Sequence, residues 1–479
     1  MDETVKCAFA RKARNVPWHA DELAEFLEGE WIVPPSKDWG ASYIVYAGCG
    51  SALSKEAPVS VVTEKYAKYP KQSKAFIFDG EKDVTHMGIP ALSVQNPNDA
   101  MMKLVRFGRE SMTGKVVAVT GSVGKTSTKD MLSELLKTVG TCVHTFGSQN
   151  TLSGIRSVLA GMVSNPEYAV LEVCSHVLNA RLRETVNLIR PDIAVITQVC
   201  LAHADELGFG SEADVAVCKA RIAENIRDGG VCLVNREIAE YDLVKKTVEG
   251  YGARVVSYGL DEKADVWIAE AKESGDGFFV SANIFGNRLC YETPYFGFGF
   301  ALNSLAALTA VHLLGADAHR AAERFSDLPV PKHRMSIRAL DVKGGRAKLI
   351  DDCFNAQPLA VIDALHTLKA MTPMPGGRKV AVLGDIRTFS GKFIDEYKTL
   401  TRPIVESADS VYLVGKDVMT IRGELPVGIV AGAFADIDEA AEKLPGCIRP
   451  NDTVLVKVTS AGREKFNLAV KLMDATGKI

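Results

Sequence analysis

The run Lys115-Val-Val-Ala-Val-Thr-Gly121-Ser122-Val123-Gly124-Lys125-Thr126-Ser127-Thr128 holds the residues best placed to do chemistry. An apolar stretch ends at two glycines, and a lysine and three hydroxyls follow. Glycines let backbone N–H groups come close to a polyphosphate. A helix starting at Lys125 adds the positive end of its dipole. Lys125 could then reach the β- and γ-phosphates of a nucleotide, and the Thr126 hydroxyl could ligate Mg²⁺. Phosphate loops of the general kind have four residues between the first glycine and Gly-Lys. Here Ser122 and Val123 alone fill that gap, so the loop is a short variant. The blander reading is a glycine turn with a chance Lys-Thr after it. The order strand, turn, lysine, hydroxyls, helix argues against that.

Glu172 ends a second apolar stretch, Tyr168-Ala-Val-Leu-Glu172. A carboxylate at the C-terminal edge of a parallel strand, beside a phosphate loop, is where an NTPase holds Mg²⁺. Alone, it would read equally well as a surface carboxylate. A third stretch leads into Thr197-Gln198-Val-Cys200-Leu-Ala-His203-Ala-Asp-Glu-Leu-Gly-Phe-Gly-Ser211, followed by Cys218-Lys219-Ala-Arg. Taken singly, His203 reads as a structural histidine and Lys219 as a solvated helix lysine.

These residues need a scaffold, and the chain alternates accordingly. After the loop, a helix over 125–139 places Met131, Leu132, Leu135 and Leu136 on one face, with Gly140 as its stop. Strands are expected at 116–120, 168–173, 193–197, 230–235 and 254–258, which favours a parallel, doubly wound sheet. A β-rich excursion follows over 266–292, then a helix over 302–314. The stretch Leu328-Pro-Val-Pro-Lys-His333-Arg334 reads as a linker. Beyond it, strands at 379–384, 410–415, 428–431 and 452–459 alternate with helices, giving a Rossmann-like unit. Before it all, residues 1–108 read as a small α/β unit with a helix over 20–27 and a connecting helix over 99–107. The fold class is therefore α/β in three domains: 1–108, 109–328 and 329–479.

Composition narrows the class. The 479 residues suit about three domains. With 47% hydrophobic and 24% charged residues the chain reads as soluble and globular, and a net charge of −3 gives no case for nucleic acid or an anionic membrane. No apolar run approaches the ~18 residues of a membrane span. The acidic start Met1-Asp2-Glu3 is unlike a secretory signal. Ten cysteines are scattered without a Cys-x-x-Cys pair, as expected for reduced thiols in the cytoplasm.

Residues 120–127 match the loop Thr-Gly-x-x-Gly-Lys-Thr-[Ser/Thr], and Glu172, His203 and Lys219 follow in order. In this the chain resembles the Mur ligases, ATP-dependent enzymes that join a carboxylate to an amine. Its ending Gly-Phe-Gly-Ser211, two residues late, is similar to the branch that adds D-alanyl-D-alanine to a UDP-muramoyl tripeptide. So are Asp351-Asp352-Cys353-Phe354-Asn355-Ala356-Gln357-Pro358, Val382-Leu-Gly-Asp385, and Asn303 before an alanine-rich helix. The resemblance spans about residues 112–470.

The resemblance implies ATP and two Mg²⁺ sites. Gly121 to Ser127 would hold the phosphates, Thr126 and Glu172 one Mg²⁺, and His203 with Lys219 the other, the lysine as its carbamate. Lys125, His203 and Lys219 would be catalytic. Asn303 would meet the adenine, Arg334 the phosphates, and Asp352 and Asn355 the nucleotide from the third domain. Lys457 and Ser460 would face the incoming amine. Read from the residues alone, Asn303 could instead cap a helix and Arg334 could lie on the surface. The expected partners are small-molecule carboxylate and amine substrates of a monomeric protein.

The N-terminal region departs from that branch. It has neither the Asp-Ser-Arg segment nor the glycine-rich stretch for a UDP-sugar; Ala47-Gly-Cys-Gly-Ser51 comes nearest. Ser148-Gln149-Asn150 opens a stretch that lacks the branch's proline, and Arg387-Thr-Phe-Ser-Gly391 replaces its Glu-Leu-Gly. ATP machinery kept beside altered substrate-facing parts favours a ligase for a non-standard carboxylate. The D-alanyl-D-alanine-adding activity is the alternative, and a P-loop small-molecule kinase or ATPase the second alternative.

Overall fold

The computed structural model describes residues 18–41, 44–46, 59–62, 73–80, 86, 88–147, 149–180, 183–201, 207–274, 277–330, 332–386, 391–460 and 467–476. Three large sheets organise them, in a three-domain α/β arrangement. His203 and residues 47–51 lie outside the described residues, as do 387–390.

The strands of the first sheet are β1 (Glu30–Val33), β2 (Ile44–Tyr46), β3 (Val59–Val61), β4 (Ala75–Phe78) and β5 (Ala91–Ser93). They lie in the order β1-β5-β4-β3-β2, parallel except for β1. Helix α1 (Ala20–Leu27) spans its expected residues. Helix α2 (Pro97–Ser111) joins this sheet to the next. It is longer than read at both ends. Asn96 caps it by accepting from the N–H groups of Asn98 and Asp99, and Pro97 takes the first position, where no amide proton is needed.

The central sheet has nine strands. In chain order they are β6 (Lys115–Thr120), β7 (Cys142–His144), β8 (Tyr168–Glu172), β9 (Ile193–Ile196), β10 (Val231–Asn235), β11 (Arg254–Gly259), β12 (Val266–Ser274), β13 (Gly277–Ile284) and β14 (Asn287–Thr293). The spatial order is β14-β13-β12-β11-β10-β9-β6-β8-β7. Strands β6 to β12 are parallel, and the hairpin β13–β14 closes one edge antiparallel. Parallel strands are covered on both faces, which is why they read as unbroken apolar runs. Val117, Val119 and Val170 pack on one face with Leu132 and Leu135 of helix α3 (Lys125–Leu136) and Leu305 of helix α5 (Phe298–Leu313). Val116, Ala118 and Leu171 face the other way, toward Val105 of α2 and Ile155. Edge strand β7 escaped the reading because it is three half-buried residues long.

The third sheet runs β15-β16-β20-β17-β18-β19, built from β15 (Ser336–Val342), β16 (Gly345–Asp351), β17 (Lys379–Gly384), β18 (Ser410–Val414), β19 (Val430–Phe434) and β20 (Thr453–Lys457). All but edge strand β15 are parallel. The expected linker is no loose tether where described. His333, 7% exposed, contacts Asp351 Oδ2 through Nδ1 at 2.7 Å, and its carbonyl accepts from the Phe354 N–H.

No helix among the described residues is long and apolar enough to cross a membrane.

Candidate functional site between the second and third sheets

The register of the central sheet brings three strand ends together. Glu172 pairs with Val119, and Ile196 with Thr120, so the segments after β6, β8 and β9 leave the sheet side by side. Ligands of open parallel sheets bind at such carboxyl ends.

The loop after β6 is held from behind. Ser122 N–H donates to Gln198 O at 2.5 Å, its hydroxyl to Cys200 O at 2.9 Å, and Thr197 Oγ1 to Val123 O at 2.5 Å. Gly121 and Gly124 have φ of 150° and 89°, in the region that favours glycine. A Cβ on Gly121 would stand 2.0 Å from Thr197 Oγ1, and one on Gly124 2.6 Å from Asn303 Oδ1. The loop is thus a cradle only glycine can build, and helix α3 starts directly from it. Lys125 folds back, donating to Gly121 O at 2.7 Å and Ser122 O at 3.1 Å. Burial depresses the pKa of this ammonium, with Glu172 opposing. Thr126 and Ser127 follow in the first turn.

Glu172 is 1% exposed. Asn150 Nδ2 donates to its Oε1 at 2.7 Å, while Oε2 has no partner. A buried carboxylate oxygen left unpaired is costly, and a hard cation is the natural ligand for it. The Glu172 carboxylate therefore fits a hard cation such as Mg²⁺, and Thr126 lines the same cleft.

Lys219 lies near the end of helix α4 (Glu212–Ala220), whose start is capped by Ser211. It is no solvated lysine. At 2% exposure it donates to Ser175 Oγ at 2.6 Å, three residues past Glu172. Burial first, then the charge on Lys125, push its pKa down to about 7. It is not among the described residues that line the cleft.

The other wall belongs to the third sheet. Arg334 is no surface arginine: its guanidinium stacks on Phe354, 4.1 Å from the ring centroid. Asp352, 8% exposed, forms an ion pair with Lys457. Asn355 lines the cleft as well. Asn303 sits inside α5 rather than at its cap and faces Gly124. Ser460 is 2% exposed and spends its hydroxyl on Cys353 O at 2.6 Å, so it does not face a substrate. The two walls enclose a cleft of about 890 Å³, within the range of small-molecule sites.

Residue-by-residue reading missed several lining groups, among them Asn150, Gln198, Glu237, Asp363 and His366. Asp363 of helix α6 (Pro358–Ala370) accepts from Gly299 N–H at 2.9 Å, so the third domain caps the first turn of α5. Burial raises the pKa of this carboxyl to about 6. A Cβ on Gly299 would stand 2.5 Å from Asp363 Oδ2. Gly299 in the first turn of α5, which reads poorly as helix, is what this docking requires.

A phosphate cradle on a parallel sheet, faced across a cleft by a second α/β unit with arginine and lysine, defines a nucleotide-dependent enzyme whose site two domains share. Residues 119–311 match the Mur ligase middle domain, and residues 333–458 the Mur ligase glutamate ligase domain. The chain belongs to the Mur ligase family, whose members are ATP-dependent carboxylate–amine ligases that use Mg²⁺. It is 26% identical over 367 residues to the UDP-N-acetylmuramoyl-tripeptide–D-alanyl-D-alanine ligase of Rickettsia prowazekii (strain Madrid E), covering 76% of this chain and 79% of that one. Its fold is similar to that of MurF from Acinetobacter baumannii, with a TM-score of 0.76 at 21% identity, covering 96% of this chain and 99% of the other. MurF ligase from Thermotoga maritima in complex with ADP gives 0.68 at 21% identity, covering 91% and 98%.

Proposed function

We propose that this ligase adds D-alanyl-D-alanine to the terminal carboxylate of a UDP-N-acetylmuramoyl tripeptide. The observation that carries the substrate assignment is the breadth of the likeness: relatives so named match about three-quarters of the chain, and the fold match to MurF extends over 96% of it. That breadth favours this reading over the non-standard carboxylate suggested by the N-terminal departures. We take residues 1–108 as the domain for the carboxylate substrate, 109–328 for ATP, and 329–479 for closing the site.

ATP supplies the phosphoryl group that makes an acyl phosphate of the carboxylate, and Mg²⁺ offsets the charge that builds up during transfer. The N–H groups of 121–127 cradle the phosphates. Lys125 leaves its carbonyl partners for the β- and γ-phosphates, and Arg334 approaches them from the opposite wall. Asn303 meets the adenine. Thr126 and Glu172 would hold one Mg²⁺. His203 and Lys219, the latter as its carbamate, would hold a second. Carbamylation needs a neutral amine, and a lysine with a pKa of about 7 supplies it at physiological pH. Asp352 orients Lys457 toward the oxyanion formed when the amine attacks, and Asn355 contacts the nucleotide.

Phosphate release from ATP should require UDP-muramoyl tripeptide and D-alanyl-D-alanine together, falling at least about tenfold when either is omitted. Release that needs neither identifies an ATPase. Mg·ATP binding without turnover on this pair returns the non-standard carboxylate as the better reading.

A further inference from the structure

We infer that Lys129 is a positioning residue that sets the direction of the free Glu172 oxygen, and through it the affinity for a divalent cation. The inference rests on the reading of Glu172 as a Mg²⁺ ligand.

Lys129 lies one helical turn beyond Lys125 on α3 and is wholly buried. Burying an ammonium is unfavourable unless its protons are used. Here all three have acceptors: Thr145 O at 2.9 Å, Gly147 O at 3.1 Å, and the Asp130 carboxylate. Core filling alone would not call for a lysine, since Met131, Leu132, Leu135 and Leu136 already fill the neighbouring positions of the helix.

The two carbonyls belong to the segment that leaves β7. That segment grips Glu172 twice. Thr145 Oγ1 accepts from the Glu172 N–H at 2.9 Å, and Asn150 Nδ2 donates to Glu172 Oε1 at 2.7 Å. It is tied once more by the Cys174 N–H, which donates to Asn150 O at 3.3 Å. Backbone and one carboxylate oxygen are fixed, so Oε2 is the atom left without a partner. One helix thus serves the site twice: Lys125 for the phosphates, and Lys129 for the segment that aims the metal-binding carboxylate. Groups that orient a metal ligand are typically worth about 10–100-fold in metal affinity.

The test is ADP binding by calorimetry on the full chain, with and without Mg²⁺, for wild type, Lys129→Met, Glu172→Gln and the double variant. Wild type should bind ADP more tightly with Mg²⁺, and Glu172→Gln should lose that gain. Lys129→Met should lose about tenfold of the gain while its Mg²⁺-free ADP affinity stays unchanged. The double variant should be no weaker than Glu172→Gln alone, because both changes remove one coupled function. A full Mg²⁺ gain in Lys129→Met, or additive losses in the double variant, overturns the inference and leaves Glu172 as a ligand. A gain that survives in Glu172→Gln overturns the metal assignment itself, and this inference with it. Should Lys129→Met not fold, Thr145→Val removes the hydroxyl that receives the Glu172 N–H and leaves Lys129 in place. It should lose about threefold of the gain, less than the loss of the whole tether, and an unchanged gain overturns the inference.

Discussion

Lys219→Ala should lower kcat by about a thousandfold or more, since in the proposed mechanism it withdraws a metal anchor near transferring charge and with it several kcal/mol of transition-state stabilisation. Steady-state kinetics on the purified variant checks this, and kcat within about threefold of wild type removes Lys219 from the mechanism. The fold should survive. The alanine takes away an amine whose burial is itself unfavourable, and Ser175 Oγ loses only one partner. Because Lys219 titrates near 7 when folded and near 10.4 when unfolded, folding releases its proton between those values. Its contribution to stability therefore rises with pH across that window. Lys219→Met, which keeps the volume, should flatten the rise in melting temperature between pH 7 and pH 10.

Lys125→Ala should lower kcat/KM by about a hundred- to a thousandfold, the loss expected when one fixed cation is withdrawn from developing charge. The loop should keep its shape, because its anchors to Gln198 and Cys200 do not involve the lysine. ADP should still bind through the backbone N–H groups. A variant with near-wild-type kcat/KM would reject the phosphate-loop assignment.

The two changes differ in how openly the sequence shows their residues. Lys125 was legible because backbone conformation demands glycine at 121 and 124, and the lysine follows directly. Glu172 was legible because β8, buried on both faces, reads as an apolar run that ends in a carboxylate. Lys219 was marked by its distance from Ser211, but alone it looked like a surface residue; its burial comes from the packing of α4 behind Ser175, which no local pattern reports.

Residues whose partners are far along the chain stayed hidden. Lys129 meets Thr145 and Gly147 across a helix–strand connection, Asn150 meets Glu172, and Asp363 meets Gly299 across a domain boundary. The first turn of α5 was hidden for the same reason, since glycines that weaken a helix locally are here needed for close approach by Asp363. The limits of α2 were present in the sequence, but Asn-Pro serves both a turn and a helix start.

In the proposed reaction a carboxylate is activated by phosphorylation in the cleft between the second and third sheets. The most direct measurement uses UDP-muramoyl tripeptide carrying heavy oxygen in its terminal carboxylate, with ATP, Mg²⁺ and D-alanyl-D-alanine, and reads the isotope in the released phosphate by mass spectrometry. Each phosphate released should carry one heavy oxygen, because the phosphate displaced by the amine leaves with the carboxylate oxygen that had attacked ATP. Phosphate released at the same rate with no heavy oxygen would contradict it, since water would then be the acceptor.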